Sequence, residues 1–294
     1  MPPDRVVQAD IYMTAPLELS RTNPSSQHIT LQRHFTPAAQ HKKALSISNM
    51  AQTNGTHPKI LLYTNHGCPY AHRAHITLDE LKLPYEEVII DLNTPRPQWY
   101  LDINPRGLVP TIKYTVPGLL DEEIITESEV VARFLADAFP SPFLPGSKES
   151  PTSALERARI NFFIDTWNSK VGNAIFPILT APDEATKKAK IDVFVAAIEK
   201  EIEPLLTNAK PFFNGSEAFT LAEAIIAPFI VRVYDYTADE SLLPKSVVKR
   251  LDALPNFGKW AKLVRERESV NKVYDGASIA KSTKARLEKM KAKA

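Results

Sequence analysis

The chain has 294 residues, 44% hydrophobic and 24% charged, with a formal net charge of +2. These values exclude disorder over the whole length, and so slight an excess of charge excludes a nucleic-acid or membrane surface except where basic residues cluster. One cysteine, Cys68, excludes an intramolecular disulfide, so a free thiol in a reducing compartment is expected.

The length suits two packed domains with loose ends. Residues 1–57 are rich in Pro, Ser, Thr, Asn, Gln and His without periodicity, and read as a disordered or processed N-terminal extension. Residues 21–49 carry Arg, Lys and His but no acid, which gives a mitochondrial transit segment as an alternative, although Asp4, Asp10 and Glu18 oppose it. Translation beginning at Met50 is a further alternative. No run approaches the ~20 apolar residues of a membrane helix, and no signal-peptide stretch follows Met1. The expected location is the cytoplasm.

Order begins at KILLYT (59–64), an apolar run of strand length followed by a turn through Asn65 to Gly67. Pro69 suits the first position of a helix, and Ala71, Ala74, Leu78 and Leu81 give that helix one buried face before Leu83-Pro84 stops it. YEEVIIDL (85–92) is a strand, PQWYLDIN (97–104) a short helix and VPTIKY (109–114) a strand. LLDEEIIT (119–126) is the hairpin partner of that strand across Val116-Pro117-Gly118. Thr126 and Glu129 are spaced as a capping box for a helix with Val130, Val131, Phe134, Leu135 and Ala138 inward. The order βαβαββα over 58–142 is that of an α/β domain.

A proline-rich linker at 143–152 leads to an all-α domain at 153–272. Its helices carry Leu155, Ala158, Phe162, Phe163 and Trp167, then Ile191, Phe194, Val195, Ile198 and Ile202. TLAEAIIAPFIVRVY (220–234) is apolar almost all round and reads as the central buried helix, capped by Thr220 and Glu223 and kinked at Pro228. FGKWAKLVRERE forms a last helix. The basic stretch 273–294 is expected to be a solvated tail.

Cys68 lies just ahead of the helix that Pro69 opens, where unpaired N–H groups and the positive dipole end favour a thiolate. The plain alternative is a small buried hydrophobe. His66, Cys68, His72 and His75 could suggest a metal, but a structural zinc site wants paired cysteines or a second histidine pair, so no metal is expected. Exposed or hydrogen-bonded histidines are the simpler reading, with His72 close enough to tune the sulfur. Position 71, where a resolving cysteine would stand in a CxxC motif, is alanine. A mixed disulfide on Cys68 must then be resolved by a thiol from solution, and glutathione is the abundant candidate.

Cys68-Pro69-Tyr70-Ala71, Asn104-Pro105-Arg106-Gly107-Leu108-Val109-Pro110, Thr126-Glu127-Ser128 and PNFGKW (255–260) occur in an order that resembles the cytosolic glutathione transferases, specifically the omega-like cysteine group. The resemblance covers roughly 58–270. It implies a thioredoxin-like domain followed by a helical domain, a homodimer, and glutathione as co-substrate together with a small electrophile or mixed disulfide. One departure is Glu223, where the family's buried-helix box usually has Asp.

The resemblance also implies Cys68 as the catalytic residue, with Tyr70, Arg96, Val109, Pro110, Glu127 and Ser128 in the glutathione site. Arg96 would take the glycyl carboxylate, and Val109, ahead of a cis Pro110, would pair with the cysteinyl unit like an added strand. Glu127 would take the ammonium and Ser128 the γ-glutamyl carboxylate. The plain alternatives are helix capping for Glu127 and Ser128 and a surface charge for Arg96. The activity implied is thiol transfer or dehydroascorbate-type reduction. Two other readings are a conjugating transferase using the Tyr63 hydroxyl, and a non-catalytic binding or assembly module.

Overall fold

The alternation in KILLYT sorts its side chains to two sides of a strand. In the computed structural model, which describes residues 58–292, this segment is β1 (Lys59–Thr64). The expectations for the extension 1–57 and for Met50 lie outside the described residues. Ile60 and Leu62 meet Ala74 and Leu78 of helix α1 (Pro69–Glu80) and Val131 and Leu135 of helix α3 (Ser128–Ala138). Tyr63, facing the other way, joins Ile90, Tyr100 and Val109.

Four strands form the sheet: β1, β2 (Glu86–Ile89), β3 (Thr111–Val116) and β4 (Leu120–Thr126), in the order β2-β1-β3-β4. β1 runs parallel to β2, with α1 as the crossover, and antiparallel to β3, which forms a hairpin with β4. The register places Leu62 beside Glu87 and Thr64 beside Ile89. The turn from β3 to β4 uses Gly118 at φ 77°, a conformation in which a side chain is strained. Helix α2 (Gln98–Ile103) bridges β2 and β3. This is the thioredoxin-like arrangement expected from the sequence.

The second half is helical: α4 (Ser153–Lys170), α5 (Ile175–Leu179), α6 (Glu184–Ala197), α7 (Leu221–Tyr236), α8 (Ser246–Asp252), α9 (Phe257–Glu266), α10 (Glu268–Asn271) and α11 (Gly276–Lys291). The long pattern through Ile202 is not one α-helix, since α6 passes into a π-helical turn at Ile198–Ile202 and then a 3-10 turn. α7 is buried on nearly every side, as its all-round apolar sequence requires. Thr220 and Glu223 form the expected capping box. Glu223 also accepts hydrogen bonds from the Phe213 amide at 2.7 Å and the Trp260 indole at 2.9 Å, so one carboxylate ties three segments together.

Three further expectations are corrected. The helix after β1 has more than one buried face: Ala71 to Leu78 are all buried, because α1 packs on the sheet, α3, α7 and α10 at once. Thr126 and Glu129 form no capping box. Thr126 is the last residue of β4 and Glu127 is the N-cap, which leaves Glu129 at the second helical position, one short of the third that the box requires. Glu129 binds Arg133 and Asn168 instead.

The third correction concerns the basic tail. α11, capped by Asp275, lies against α7 with Ile279 and Leu287 buried. Its Lys284 pairs with Asp239 at 2.7 Å. Among the described residues no helix is long and apolar enough to cross a membrane.

Candidate active site

Asn65 builds the turn that ends β1. Its side-chain oxygen accepts from the Gly67 amide at 3.0 Å, its amide nitrogen donates to the Ile90 carbonyl at 2.9 Å, and its carbonyl accepts from the Cys68 amide at 3.0 Å. Cys68 is thereby fixed as the N-cap of α1 with extended backbone (φ −83°, ψ 122°), and Pro69 opens the helix. The sulfur is half-buried and lies 4.0 Å from the Val109 carbonyl oxygen. Helix N–H groups without intrahelical partners surround that position.

Val109 belongs to the loop Asn104–Pro110, which is held from below. Asn104 donates to the Leu108 carbonyl and to the Thr111 hydroxyl, both at 2.9 Å, and the Tyr100 hydroxyl donates to Leu108 at 2.6 Å. Gly107 adopts φ 61°, and a Cβ there would stand 2.9 Å from the Arg96 side chain, so both conformation and space require glycine. The Val109–Pro110 bond is cis, and both residues are buried beside the sulfur.

Arg96 is engaged with backbone. Its Nε donates to Gly107 at 3.0 Å, and Nη1 donates to Asp91 at 2.7 Å and Thr94 at 2.6 Å, which closes the loop between β2 and α2. It is a brace, not an ordinary surface charge, and Nη2 is the nitrogen these bonds leave available.

Glu127 has φ 69°, in the left-handed region, where a non-glycine residue costs roughly 1–3 kcal/mol and persists only when its surroundings impose it. Its carboxylate pairs with Arg106 at the surface. Ser128 is buried behind it, and its hydroxyl accepts from Arg73 Nη1 at 3.2 Å. Arg73 is itself buried, donating further to the Ile225 carbonyl at 2.9 Å and to Asn168 Oδ1 at 3.0 Å. Burial pushes its pKa down to about 10, so it remains a cation at neutral pH.

A second buried guanidinium approaches from α7. Arg232 donates to Gly67 O at 3.1 Å and to Pro228 O at 2.7 Å, and its Nη1 lies 3.3 Å from His72 Nδ1. The His72 Nε2 donates to Val270 O at 2.9 Å, and the ring stacks on Tyr274. Burial first, and then Arg232, hold the His72 pKa well below the usual histidine value, so the ring is neutral. Neither Arg73 nor Arg232 has an ion pair with a carboxylate among the described residues. Burial lowers the pKa of both guanidiniums; the charge of Glu129 is the largest opposing influence on Arg73, and the Tyr274 hydroxyl is the largest on Arg232.

Cys68, Val109 and Pro110 are thus brought together. Tyr70 stands beside the cysteine on the exposed side of the first turn of α1, its ring edge-on to Phe229 of α7 at 5.5 Å. Ser128 is linked to α1 through Arg73, while Glu127 and Arg96 hold ion-pair and backbone partners of their own. Tyr63 is buried against Trp99 and Tyr100, as a strand-packing residue would be. Sequence reading missed Arg73 and Arg232. The signal existed for Arg232, a lone cation in an apolar helix with no polar face. Arg73 had none beyond its place on α1.

Residues 67–138 match the family model described as glutathione S-transferase, N-terminal domain. A protein of Arabidopsis thaliana named glutathione S-transferase DHAR2 is 31% identical over 163 residues, covering 55% of this chain and 64% of that relative, so the match spans less than two thirds of the relative's length. The crystal structure of glutathione transferase Omega 1C from Trametes versicolor superposes with a TM-score of 0.66 at 28% identity, covering 79% of this chain and 98% of that one. Omega 2C from the same organism gives 0.65 at 29% identity, covering 79% and 100%. With the cysteine turn, the cis-proline loop and the helical half all in place, these likenesses support a glutathione transferase of omega-like type.

Proposed function

We propose that this chain is a glutathione-dependent thiol transferase or reductase in which Cys68 is the nucleophile. The observation that carries the reading is a half-buried cysteine capping α1, with alanine at position 71 and two buried guanidiniums that bond Ser128 and Gly67. A partly exposed cysteine at a helix N-terminus is in the position that thiol nucleophiles occupy. The alanine leaves resolution of a mixed disulfide to a second molecule.

The cycle balances as follows. The Cys68 thiolate attacks the glutathionyl sulfur of a mixed disulfide, the old S–S bond breaks, and the substrate leaves as a thiolate. A glutathione thiolate then attacks the glutathionyl sulfur on Cys68, releasing oxidised glutathione and restoring the Cys68 thiolate. In dehydroascorbate-type reduction, two glutathiones supply the two electrons and two protons. The relative named DHAR2 and the omega transferases support this choice of chemistry.

In this reading glutathione lies along the Val109 backbone, with its cysteinyl sulfur at Cys68. Tyr70 forms the outer wall, Ser128 takes the γ-glutamyl carboxylate with Arg73 behind it, Glu127 takes the ammonium, and Arg96 offers Nη2 to the glycyl carboxylate. The second substrate is a small electrophile or mixed disulfide, the protein works as a homodimer, and its setting is the cytoplasm.

The test is Cys68→Ser. Thiol transfer and dehydroascorbate reduction should fall at least about a thousandfold, in line with loss of a covalent nucleophile. Incubation with oxidised glutathione should add one glutathione to the wild type and none to the variant. Retained thiol transfer in Cys68→Ser would overturn the proposal. Conjugation of an electrophile that survives in the variant would favour the conjugating transferase. Absence of glutathione binding in both proteins would favour the assembly module.

A further inference from the structure

We propose that His66, His75 and Glu87 form a binding site for a divalent transition-metal ion, with Zn2+ as the ion that suits their donor set. The three residues come from the cysteine turn, the middle of α1 and strand β2, and parallel pairing of β1 with β2 brings Glu87 up beside the two histidines. One ligand atom from each lies within 4.8 Å of the other two. The His66 Nε2 is 3.1 Å and the His75 Nε2 3.9 Å from the same oxygen, Glu87 Oε2.

Zinc–nitrogen and zinc–oxygen bonds of about 2.0–2.2 Å place tetrahedral ligand atoms roughly 3.3–3.5 Å apart. The existing triangle therefore needs only small side-chain adjustments to close on an ion. Two imidazoles and one carboxylate are the ligands of an open zinc site, and nitrogen donors select such ions over Mg2+ and Ca2+. The buried ring of His75 is already oriented: its Nδ1 lies 2.9 Å from the Tyr85 hydroxyl, the kind of outer hydrogen bond that turns Nε2 toward a metal.

The Thr64 hydroxyl lies 2.7 Å from His75 Nε2 and would have to rotate away for that nitrogen to bind an ion. His66 and Glu87 are partly exposed, so an ion can enter from solvent. The expectation of no metal considered Cys68 and His72 beside His66 and His75. His72 instead faces Arg232 and Val270, and Glu87 is invisible to sequence spacing. This site stands independently of the glutathione reading, although His66 is only two positions from Cys68.

The experiment is Zn2+ titration of the full chain by calorimetry, alongside His66→Ala, Glu87→Gln and Cys68→Ser. Because His28, His34, His41 and His57 also belong to the chain, the readout is the difference between proteins. The wild type should bind one more Zn2+ than His66→Ala, and Glu87→Gln should weaken that site at least about tenfold. Cys68→Ser should leave it intact, and Co2+ at the site should give the visible absorption of a tetrahedral ion, lost in His66→Ala. Both ligand variants alter partly exposed residues, and unchanged thermal melting confirms their folding. Equal stoichiometry and affinity in wild type, His66→Ala and Glu87→Gln would overturn the proposal, as would loss of the ion in Cys68→Ser alone.

Discussion

Replacing Arg106 with alanine should tighten glutathione binding slightly, although it removes a cation from the rim of the site. Glu127 is proposed to receive the ligand's ammonium, and in the protein alone its carboxylate holds Arg106. The two side chains are 68% and 47% exposed, and an ion pair in such contact with water contributes about 0.2–1 kcal/mol. The ligand must displace or share that pair, so its removal can lower Kd by at most about fivefold. Glu127→Gln, by contrast, removes a charge-assisted hydrogen bond of roughly 1.5–3 kcal/mol and should raise Kd about ten- to a hundredfold. Calorimetry on a Cys68→Ser background measures both effects without disulfide chemistry. The gain from Arg106→Ala should fade at high salt, where the exposed pair is already screened. If Arg106→Ala instead weakened binding more than about threefold with unchanged melting, Arg106 would itself hold a ligand carboxylate, and the role given to Glu127 would be wrong.

Glu223→Ala would strand the buried amides of Phe213 and Thr220 and the indole of Trp260, at about 1–3 kcal/mol each. Urea unfolding should show a loss of roughly 3–9 kcal/mol, and a loss under about 1 kcal/mol would contradict the bridging role. Ile279→Ala should cost about 2–4 kcal/mol by leaving a cavity under α11; a midpoint equal to wild type would show that this helix is not docked on α7. Acid should destabilise the protein below about pH 6.5. Unfolded His72 takes up a proton there, whereas folded His72, facing Arg232 and Tyr274, takes one only at much lower pH, and folded His75 only near about 4. The unfolded state then binds more protons, so stability is full above this window and falls with pH by up to about 1.4 kcal/mol per unit for each histidine. His72→Gln should remove one such increment from the slope of unfolding free energy against pH, and an unchanged slope would mean that His72 titrates normally.

The legible parts of the sequence were those that local patterns control. Alternation in KILLYT, the break at Leu83-Pro84 and the Val116-Pro117-Gly118 turn each act within a few residues, and the strands and first helices follow. The Thr220/Glu223 box succeeded while the Thr126/Glu129 spacing failed, because a box requires the first residue to be the N-cap, and β4 carries Thr126 into the sheet. Periodicity also records where apolar residues lie, not how many neighbours cover a helix. α1 therefore looked one-sided while His72 and Arg73 were in fact buried by partners far along the chain, and His75 by Thr64 and Tyr85 on its other side. In α11 the signal was two residues, Ile279 and Leu287, eight positions apart on one face among lysines and alanines, too thin a stripe to distinguish from a solvated helix.

The two buried arginines explain why a thioredoxin-like half with one cysteine depends on the helical half. Arg73 leaves α1 to bond Ile225 of α7 and Asn168 of α4, and Arg232 leaves α7 to bond Gly67, the residue before Cys68. A buried cation pays heavily in desolvation, and packed apolar side chains would hold two helices together at least as well. Stability alone is therefore a poor account of two such cations at one turn. The proposed site offers an account: a ligand carboxylate docked at Ser128 would add to Glu129 in offsetting the burial of Arg73, while Arg232 fixes the cysteine turn through Gly67. Under the proposed function the first half would supply the nucleophile and the helix end, and the second braces both through α7.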